Sequence, residues 1–200
     1  MYIETPRLII RDFRQTDAAV LYRIKTDPQV LKYCPDFLDV DVTFEDMVKY
    51  IHTFNELEAK QDIDEWRCYA IEHKQLQTVV GCVCLCRQSM LFEYELGWMM
   101  IGEYAKNGYA SEAAAAFAED FCDRHGVEYL IVIMDVDNPA SFRAAQKAGF
   151  RLFEKRTVYD YSINRYSDDY YYFRRYSSGS TRTGKFYGDV PYTGRILEKC

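Results

Sequence analysis

The sequence predicts a mixed α/β fold in which helices flank a central, mostly antiparallel sheet. Strand and helix patterns alternate along most of the 200 residues. Three strand patterns between 66 and 101 follow one another with no helix between them, which predicts an antiparallel meander. The solid apolar run EYLIVIMDV then separates two helix patterns, and this indicates a strand covered on both faces.

The amino-terminal part should form one strand and two helices. RLIIRDF at 7–13 has the alternation of a strand. Thr16 is expected to cap the first helix, whose apolar residues recur at helical spacing. TFED at 43–46 has the form of a capping box and should begin the second helix.

The meander consists of WRCYAIEH, TVVGCVCLCR and FEYELGWMMI, and helical signals follow it. A helix over 111–124 should end at Gly126, which suits a left-handed C-terminal cap. Asn138 followed by Pro139 predicts the start of a last helix, which stops at Gly149. FRLFEKRTVYDYSI and YYYFRRYS should form a closing hairpin.

Composition and charge restrict the class of protein. Hydrophobic residues make up 48%, charged residues 28%, and the net charge is −6, which is typical of a soluble domain. An acidic chain argues against general binding to nucleic acid or anionic membranes. No apolar run reaches the roughly 20 residues of a membrane span. We expect a domain at 1–176 and, because Ser, Gly and Thr then dominate, a loosely held tail at 177–200.

The cysteines indicate a reducing, cytoplasmic location, because seven is an odd number and their spacing fits no disulfide framework. In CVCLC, strand alternation places Cys82, Cys84 and Cys86 on one face. No nearby histidine or second cysteine pair completes a metal site. We therefore expect no metal, and interpret these cysteines as small buried hydrophobic residues.

KNGYASEA, which begins at Lys106, predicts an anion site. Unpaired N–H groups and the dipole of a helix amino terminus attract negative charge. Gly108 allows close approach, Ala110 and Ser111 keep the first turn uncluttered, and Lys106 adds positive charge. A phosphate or pyrophosphate fits this pattern, and the alternative is an ordinary loop in which the glycine only turns the chain.

Three segments together resemble the GNAT superfamily of N-acetyltransferases. ELGWMMIGEYAKNGYASEA resembles its acetyl-CoA loop. ETPRLIIRDFRQTDAAVLYRIKTDPQVLKY and DNPASFRAAQKAGF resemble the branch that acetylates ribosomal-protein N-termini. The match runs in order from about residue 2 to residue 160. It implies a GNAT-like sheet that is splayed open at the 94–101 strand, with the pantetheine arm of acetyl-CoA, the co-substrate, in the opening.

The resemblance also implies which residues bind the cofactor. Main-chain groups beside the opening would pair with pantetheine, the loop would wrap the pyrophosphate, and one asparagine would bond the cofactor arm. These positions are Trp98, Met99, Met100, Lys106, Asn107, Gly108, Tyr109, Ala110, Ser111 and Asn138. Three positions depart from the family pattern: Ala105 stands where Gln or Arg is usual, Asn107 where glycine or a basic residue is more usual, and Ala145 where many relatives carry a tyrosine acid.

The implied reaction is direct attack of a primary amine on acetyl-CoA in a ternary complex. Glu95 is the candidate proton acceptor, directly or through water, and otherwise a surface carboxylate. A main-chain N–H near Met99 would stabilise the oxyanion. Ser141 is the candidate partner of the departing thiol, or a capping hydroxyl. His52 could assist as a base, although a surface histidine is the plainer interpretation.

The acceptor is not fixed by the sequence. An acidic group could favour a cationic amine or a basic peptide, or could form a solvated face; it comprises Asp36, Asp39, Asp41, Glu45 and Asp46. The acceptor could be a protein N-terminus or a small amine, such as an aminoglycoside, a polyamine or an amino-acid-like metabolite. The alternative function is a non-catalytic acyl-CoA-binding module. The sequence also leaves open whether the protein is a monomer or a homodimer.

Overall fold

The computed structural model describes residues 1–34, 42–87, 92–160 and 165–179. Its strands are β1 (Tyr2–Glu4), β2 (Leu8–Arg11), β3 (Arg67–His73), β4 (Thr78–Arg87), β5 (Tyr94–Met100), β6 (Tyr129–Asp135), β7 (Arg151–Asp160) and β8 (Arg165–Tyr176). Its helices are α1 (Ala18–Thr26), α2 (Pro28–Leu31), α3 (Phe44–Lys60), α4 (Tyr109–His125) and α5 (Pro139–Lys147).

The eight strands form one sheet in the order β1-β2-β3-β4-β5-β6-β8-β7. Neighbouring strands of this described sheet run antiparallel, except that β5 and β6 run parallel. The predicted fold class, a mixed and mostly antiparallel sheet flanked by helices, is therefore confirmed. The closing hairpin is present too, and its second strand, β8, lies between β6 and β7.

One predicted helix start is confirmed and another is wrong. The Thr43 hydroxyl accepts from Asp46 N–H at 3.2 Å, and the Asp46 carboxylate accepts from Thr43 N–H at 3.0 Å. Hydrogen bonds from Thr43, with a further one from Lys49, lower the pKa of Asp46 to about 2. Thr16, in contrast, lies inside a 3₁₀ turn, Gln15–Asp17, and α1 begins only at Ala18. The Asp17 carboxylate accepts from the main-chain N–H of Arg14 at 2.8 Å and closes that turn.

Two hydrophobic cores cover the sheet, one on each face. On one face, α4 buries Phe117 and Phe121 against the strands. On the other, α1 and α3 bury residues such as Leu21 and Ile51. Each fully buried side chain of this type contributes roughly 1.5–3 kcal/mol. The two helical layers therefore hold the centre of the sheet, β5 included, from both sides.

The cysteine prediction needs one correction. Cys82 and Cys84 are buried as expected, with 0% and 9% of their surfaces exposed. Cys86 is only partly buried. A third buried thiol reaches the pair from the neighbouring strand, because Cys68 lies directly opposite Cys84. The sequence argument considered only a nearby histidine or a second cysteine pair, whereas strand pairing supplies a single third cysteine from another segment.

The described chain continues slightly beyond the sheet. The main-chain N–H of Ser177 donates to Glu128 O at 2.9 Å, and the Ser178 hydroxyl donates to Glu119. The remainder of the predicted tail, 180–200, lies outside the described residues. Across the described ranges, no helix has the length and hydrophobicity needed to cross a bilayer.

Candidate active site

A gap between β5 and β6 is the central feature of the site. The two strands pair in register only at Glu95 and Ile131. Beyond that pair they diverge toward their carboxyl ends, so the predicted splay at 94–101 is confirmed. Because the strands are parallel, both carboxyl ends meet at the same edge of the sheet. The loop after β5 and the turn after β6, which contains Asn138, therefore lie on the same side of the gap.

The edge of β5 offers main-chain groups to this gap. The N–H of Ile101 donates to Val80 O at 3.0 Å, on the β4 side. Hydrogen bonding alternates along an antiparallel ladder, so Met99, which lies opposite Cys82, also bonds toward β4. Trp98 and Met100 then direct their N–H and C=O groups toward β6. The gap thus has the main-chain pattern of a strand edge that can accept an extended ligand.

The loop after β5 brings a helix amino terminus to the gap. Lys106 and Gly108 both have left-handed backbone angles, with φ of 66° and 80°. α4 begins at Tyr109, two residues earlier than predicted. Glu112 N–H donates to Gly108 O at 3.1 Å and closes the first turn. The N–H groups of Tyr109, Ala110 and Ser111 precede that bond and are available to an anion.

An ion pair between the segment before β2 and the first turn of α4 holds this loop, and sequence reasoning missed it. The Glu112 carboxylate accepts from the Thr5 hydroxyl at 2.7 Å and from Arg7 Nε at 2.6 Å. Arg7 Nη1 donates to Asn107 O at 3.0 Å, and its guanidinium lies 4.7 Å from the ring centre of Tyr109. Arg7 therefore offsets the negative charge that Glu112 would otherwise place beside the helix terminus. The partners are more than 100 residues apart in sequence, and no local pattern signals them.

Glu112 gives this loop a pH-dependent anchor. Burial raises its pKa, but hydrogen bonds from Thr5 and Arg7 outweigh that effect, so the pKa lies below its ordinary value of 4.5. A carboxylate whose pKa is lowered by folding stabilises the folded state at pH values above its ordinary pKa. This contribution is lost as the pH falls through the folded-state pKa.

We expect Glu112→Gln to lower the melting temperature at neutral pH by about 2–4 °C, the equivalent of about 1 kcal/mol. The difference from the wild type should shrink as the pH falls below 4.5 and then through the lower folded-state pKa, because Glu112 then becomes protonated in the folded state as well. Thermal melts across pH test this. Glu103→Gln is the control, because Glu103 and its partner Arg23 are about half exposed and such surface pairs contribute little. A difference that persists unchanged at low pH would contradict the ionic anchor.

The turn after β6 places Asn138 at the edge of the gap. Its Oδ1 accepts from Ser141 N–H at 3.1 Å, so it caps α5 as the sequence predicts. The side-chain Nδ2 has no hydrogen-bond partner within the described residues, and the same holds for the Ser141 hydroxyl. Tyr33 donates its hydroxyl hydrogen to Asp137 O at 2.9 Å, which links the segment after α2 to this turn. Both α5 candidates thus lie in this turn with polar hydrogens still available.

Glu95 lies at the closed end of the gap. Strand alternation places its side chain on the same face as Met99, which belongs to the core under α1 and α3. It is half-buried and lies opposite Cys86 in β4. Burial, and then the charge of Glu95, raise the pKa of Cys86 to about 12, so the carboxylate acts on this part of the sheet. Glu95 therefore faces the helical layer opposite α4.

Other residues singled out in the sequence contribute less. His52 is 69% exposed on α3, with Nδ1 3.8 Å from Glu56. In the acidic group, Asp46 is engaged in the α3 cap and Glu45 is exposed in the same turn. The other three members, at 36, 39 and 41, lie outside the described residues. Ala145 is completely buried.

Comparisons with known proteins agree with this fold. A sequence model of the acetyltransferase (GNAT) domain matches residues 7–151. A Bacillus subtilis (strain 168) protein named uncharacterized N-acetyltransferase YnaD is 28% identical over 174 residues, which are 86% of this chain and 95% of that protein.

Several solved structures share the fold, including those of two acetyltransferases. An acetyltransferase (GNAT family) from Bacillus anthracis superposes with a TM-score of 0.73 at 24% identity, over 88% of this chain and 98% of that one. RimL, a ribosomal L7/L12 alpha-N-protein acetyltransferase in complex with coenzyme A, superposes with a TM-score of 0.71 at 15% identity, over 90% of this chain and 100% of that one.

Proposed function

This chain belongs to the acetyltransferase (GNAT) family, and we propose that it transfers the acetyl group of acetyl-CoA directly to a primary amine in a ternary complex. The observation that carries the proposal is the gap between β5 and β6, which pair only at Glu95 and Ile131. It is a slot with a strand edge along one side and a helix amino terminus at its open end. A linear ligand with amide groups and a terminal pyrophosphate matches both features.

We assign the cofactor to this slot. The amides of the pantetheine arm pair with the main chain of Trp98 and Met100, with Met99 between them. The pyrophosphate lies against the N–H groups at the start of α4, in the loop from Lys106 to Ser111. Lys106 supplies positive charge there, and Arg7 offsets the carboxylate of Glu112. Since these contacts come mainly from N–H groups and the helix dipole, they tolerate Ala105 in place of a longer polar side chain.

The chemistry requires a neutral amine. Its nitrogen attacks the thioester carbonyl carbon, and the resulting oxyanion accepts a hydrogen bond from a main-chain N–H near Met99. The C–S bond then breaks. Glu95 takes the proton that the amine nitrogen loses, directly or through water. Ser141 donates a hydrogen bond to the departing sulfur, because the buried Ala145 has no acidic group to offer. An α-amine has a pKa near 7.7–8.0, so a weak base suffices for it.

We propose a protein or peptide N-terminus as the acceptor class. The similarity to RimL supports this choice at the level of the fold. A small-molecule amine is the alternative acceptor, and a non-catalytic acyl-CoA-binding module is the alternative function.

A thiol-release assay tests the proposal. The protein is incubated with acetyl-CoA and a panel of amines and N-terminal peptides, and free coenzyme A is measured over time. Turnover that depends on a peptide α-amine supports the proposal, whereas turnover with small amines alone identifies the other acceptor class. Acetyl-CoA binding without turnover on any amine would favour the binding module.

Asn138 provides a separate test of cofactor contact. Aspartate and serine are both good helix caps, so Asn138→Asp and Asn138→Ser should change stability by less than about 0.5 kcal/mol. The carboxylate of aspartate can cap the helix but has no hydrogen to donate to a pantetheine carbonyl, and the serine hydroxyl is one atom shorter than the amide. We therefore expect both variants to weaken acetyl-CoA binding, Asn138→Asp more strongly because its carboxylate repels phosphate.

Calorimetry measures the acetyl-CoA affinity and thermal melts measure the stability. Together they separate cofactor contact from helix capping. Ser141→Ala should lower kcat while acetyl-CoA affinity changes little. If Asn138→Asp preserves both stability and affinity, Asn138 serves only as a helix cap.

A further inference from the structure

Three buried thiols converge on the face of the sheet opposite α4. The sulfurs of Cys68, Cys82 and Cys84 all lie within 4.8 Å of one another, and those of Cys82 and Cys84 are 3.9 Å apart. Zn–S bonds of about 2.3 Å at tetrahedral or trigonal angles separate sulfur ligands by roughly 3.8–4.0 Å. The spacing of Cys82 and Cys84 is thus that of thiolates sharing one metal ion, and the other two pairs, within 4.8 Å, need to close by at most about 1 Å.

Two strands fix the arrangement. Cys68 in β3 lies opposite Cys84 in β4. Cys82 lies two residues before Cys84 in β4, so its side chain is on the same face of the sheet. Their exposed fractions are 1%, 9% and 0%, so Cys84 offers the route of entry. The proposed acetyl transfer uses none of the three. Packing alone would be satisfied by alanine or valine, whereas three sulfurs at this spacing form a soft ligand set.

Lys25, buried on α1, supplies a positive charge on the same face of the sheet as the thiols, and this charge limits which ion they can hold. Lys25 is only 2% exposed, and its Nζ lies 4.3 Å from the ring centre of Trp66. Its charge acts electrostatically on Cys68 and Cys82. A divalent ion on three thiolates leaves one net negative charge, which Lys25 balances. A monovalent ion would leave two negative charges against one positive charge in a buried site, which is costly.

We propose that Cys68, Cys82 and Cys84 form a three-sulfur site for a soft divalent metal ion, with Lys25 balancing its charge. The site lies on β3 and β4, beside the acetyl-CoA slot, and Cys82 is paired with Met99 of β5. The ion would tie β3 to β4 beneath α1 and α3. Because ligands come only from sulfur and the site excludes most water, hard ions such as Mg²⁺ or Ca²⁺ do not fit it.

Cadmium titration of the reduced protein, in a thiol-free reductant, tests the proposal. We expect one Cd²⁺ per chain, a thiolate-to-metal charge-transfer band, and a melting temperature that rises with metal concentration. Changing a group next to a metal ligand weakens binding about 10–100-fold, so removing a ligand itself, as in Cys68→Ser or Cys84→Ser, should weaken it at least about 100-fold. Cys86→Ala and Cys122→Ala are matched controls, because neither belongs to the cluster, and both should bind as the wild type does.

The outcomes distinguish the site from adventitious thiol binding. No stoichiometric Cd²⁺ on the wild type, full binding by Cys68→Ser, or equal loss in Cys86→Ala would each overturn the proposal. Cadmium-113 NMR of the wild type provides a second measurement if a serine variant fails to fold. Its chemical shift reports how many sulfurs bind the ion, and a count below three would reject the site.

Discussion

Gly108→Asp is expected to weaken acetyl-CoA binding by about 10–100-fold while the protein remains folded. Losing hydrogen bonds to a charged group costs about 1.5–3 kcal/mol, and each 1.4 kcal/mol is tenfold in affinity. An added Cβ at Gly108 would lie 3.5 Å from Arg7 Nη2. The new carboxylate would therefore compete for Arg7 and place negative charge where the pyrophosphate is proposed to bind. Calorimetry with acetyl-CoA measures the loss.

The opposite end of the same helix supplies the control. Gly126 also has a left-handed backbone, with φ of 64° compared with 80° at Gly108, and a Cβ there would meet no atom within 4 Å. Gly126→Asp thus has a similar backbone cost of about 1 kcal/mol, but it introduces the charge far from the proposed anion site. If both variants bind acetyl-CoA as the wild type does, the loop is not the pyrophosphate site.

Glu95→Gln is expected to lower kcat by about 10²–10⁴-fold, the usual contribution of a general base. Glutamine keeps the shape of the side chain, and Glu95 lies at the closed end of the slot, away from the proposed pyrophosphate. The Kd for acetyl-CoA should therefore change little. Raising the pH should partly restore the rate, because the amine then loses its proton to water.

Steady-state kinetics from about pH 6 to about pH 9 with the best amine of the panel measure this effect. The control is Glu56→Gln, which removes a carboxylate that is 54% exposed on α3. Wild-type activity of Glu95→Gln over the whole range would assign proton removal to another group or to bulk water.

Most secondary structure and the candidate loop could be predicted from the sequence. The capping box at Thr43, the left-handed cap at Gly126, and Asn138 before Pro139 all occur as expected. Each depends on hydrogen bonds and backbone angles within a few residues, which the local sequence encodes. The helix after the loop was predicted for the same reason, although it begins at Tyr109, two residues before the predicted start.

The site was predicted unevenly. The helix amino terminus at Gly108 could be recognised, because a glycine before a run of small residues is a local pattern. The relation of Trp98 and Met100 to the gap could not be derived from the residues alone, since it depends on which edge of β5 bonds to β4. The resemblance to a family supplied the splay, and the structure then showed where β5 and β6 part.

The sequence by itself determined most of the elements, their order and the helix terminus that faces the gap, but not β1 or α2. Only the tertiary structure decided which side chains of different elements come into contact. Arg7 reaches Glu112, and Cys68 joins Cys82 and Cys84, because strand register and helix packing bring distant segments together. Local propensities depend on a few neighbouring residues, whereas these contacts depend on how the whole sheet pairs, which no short window of sequence encodes.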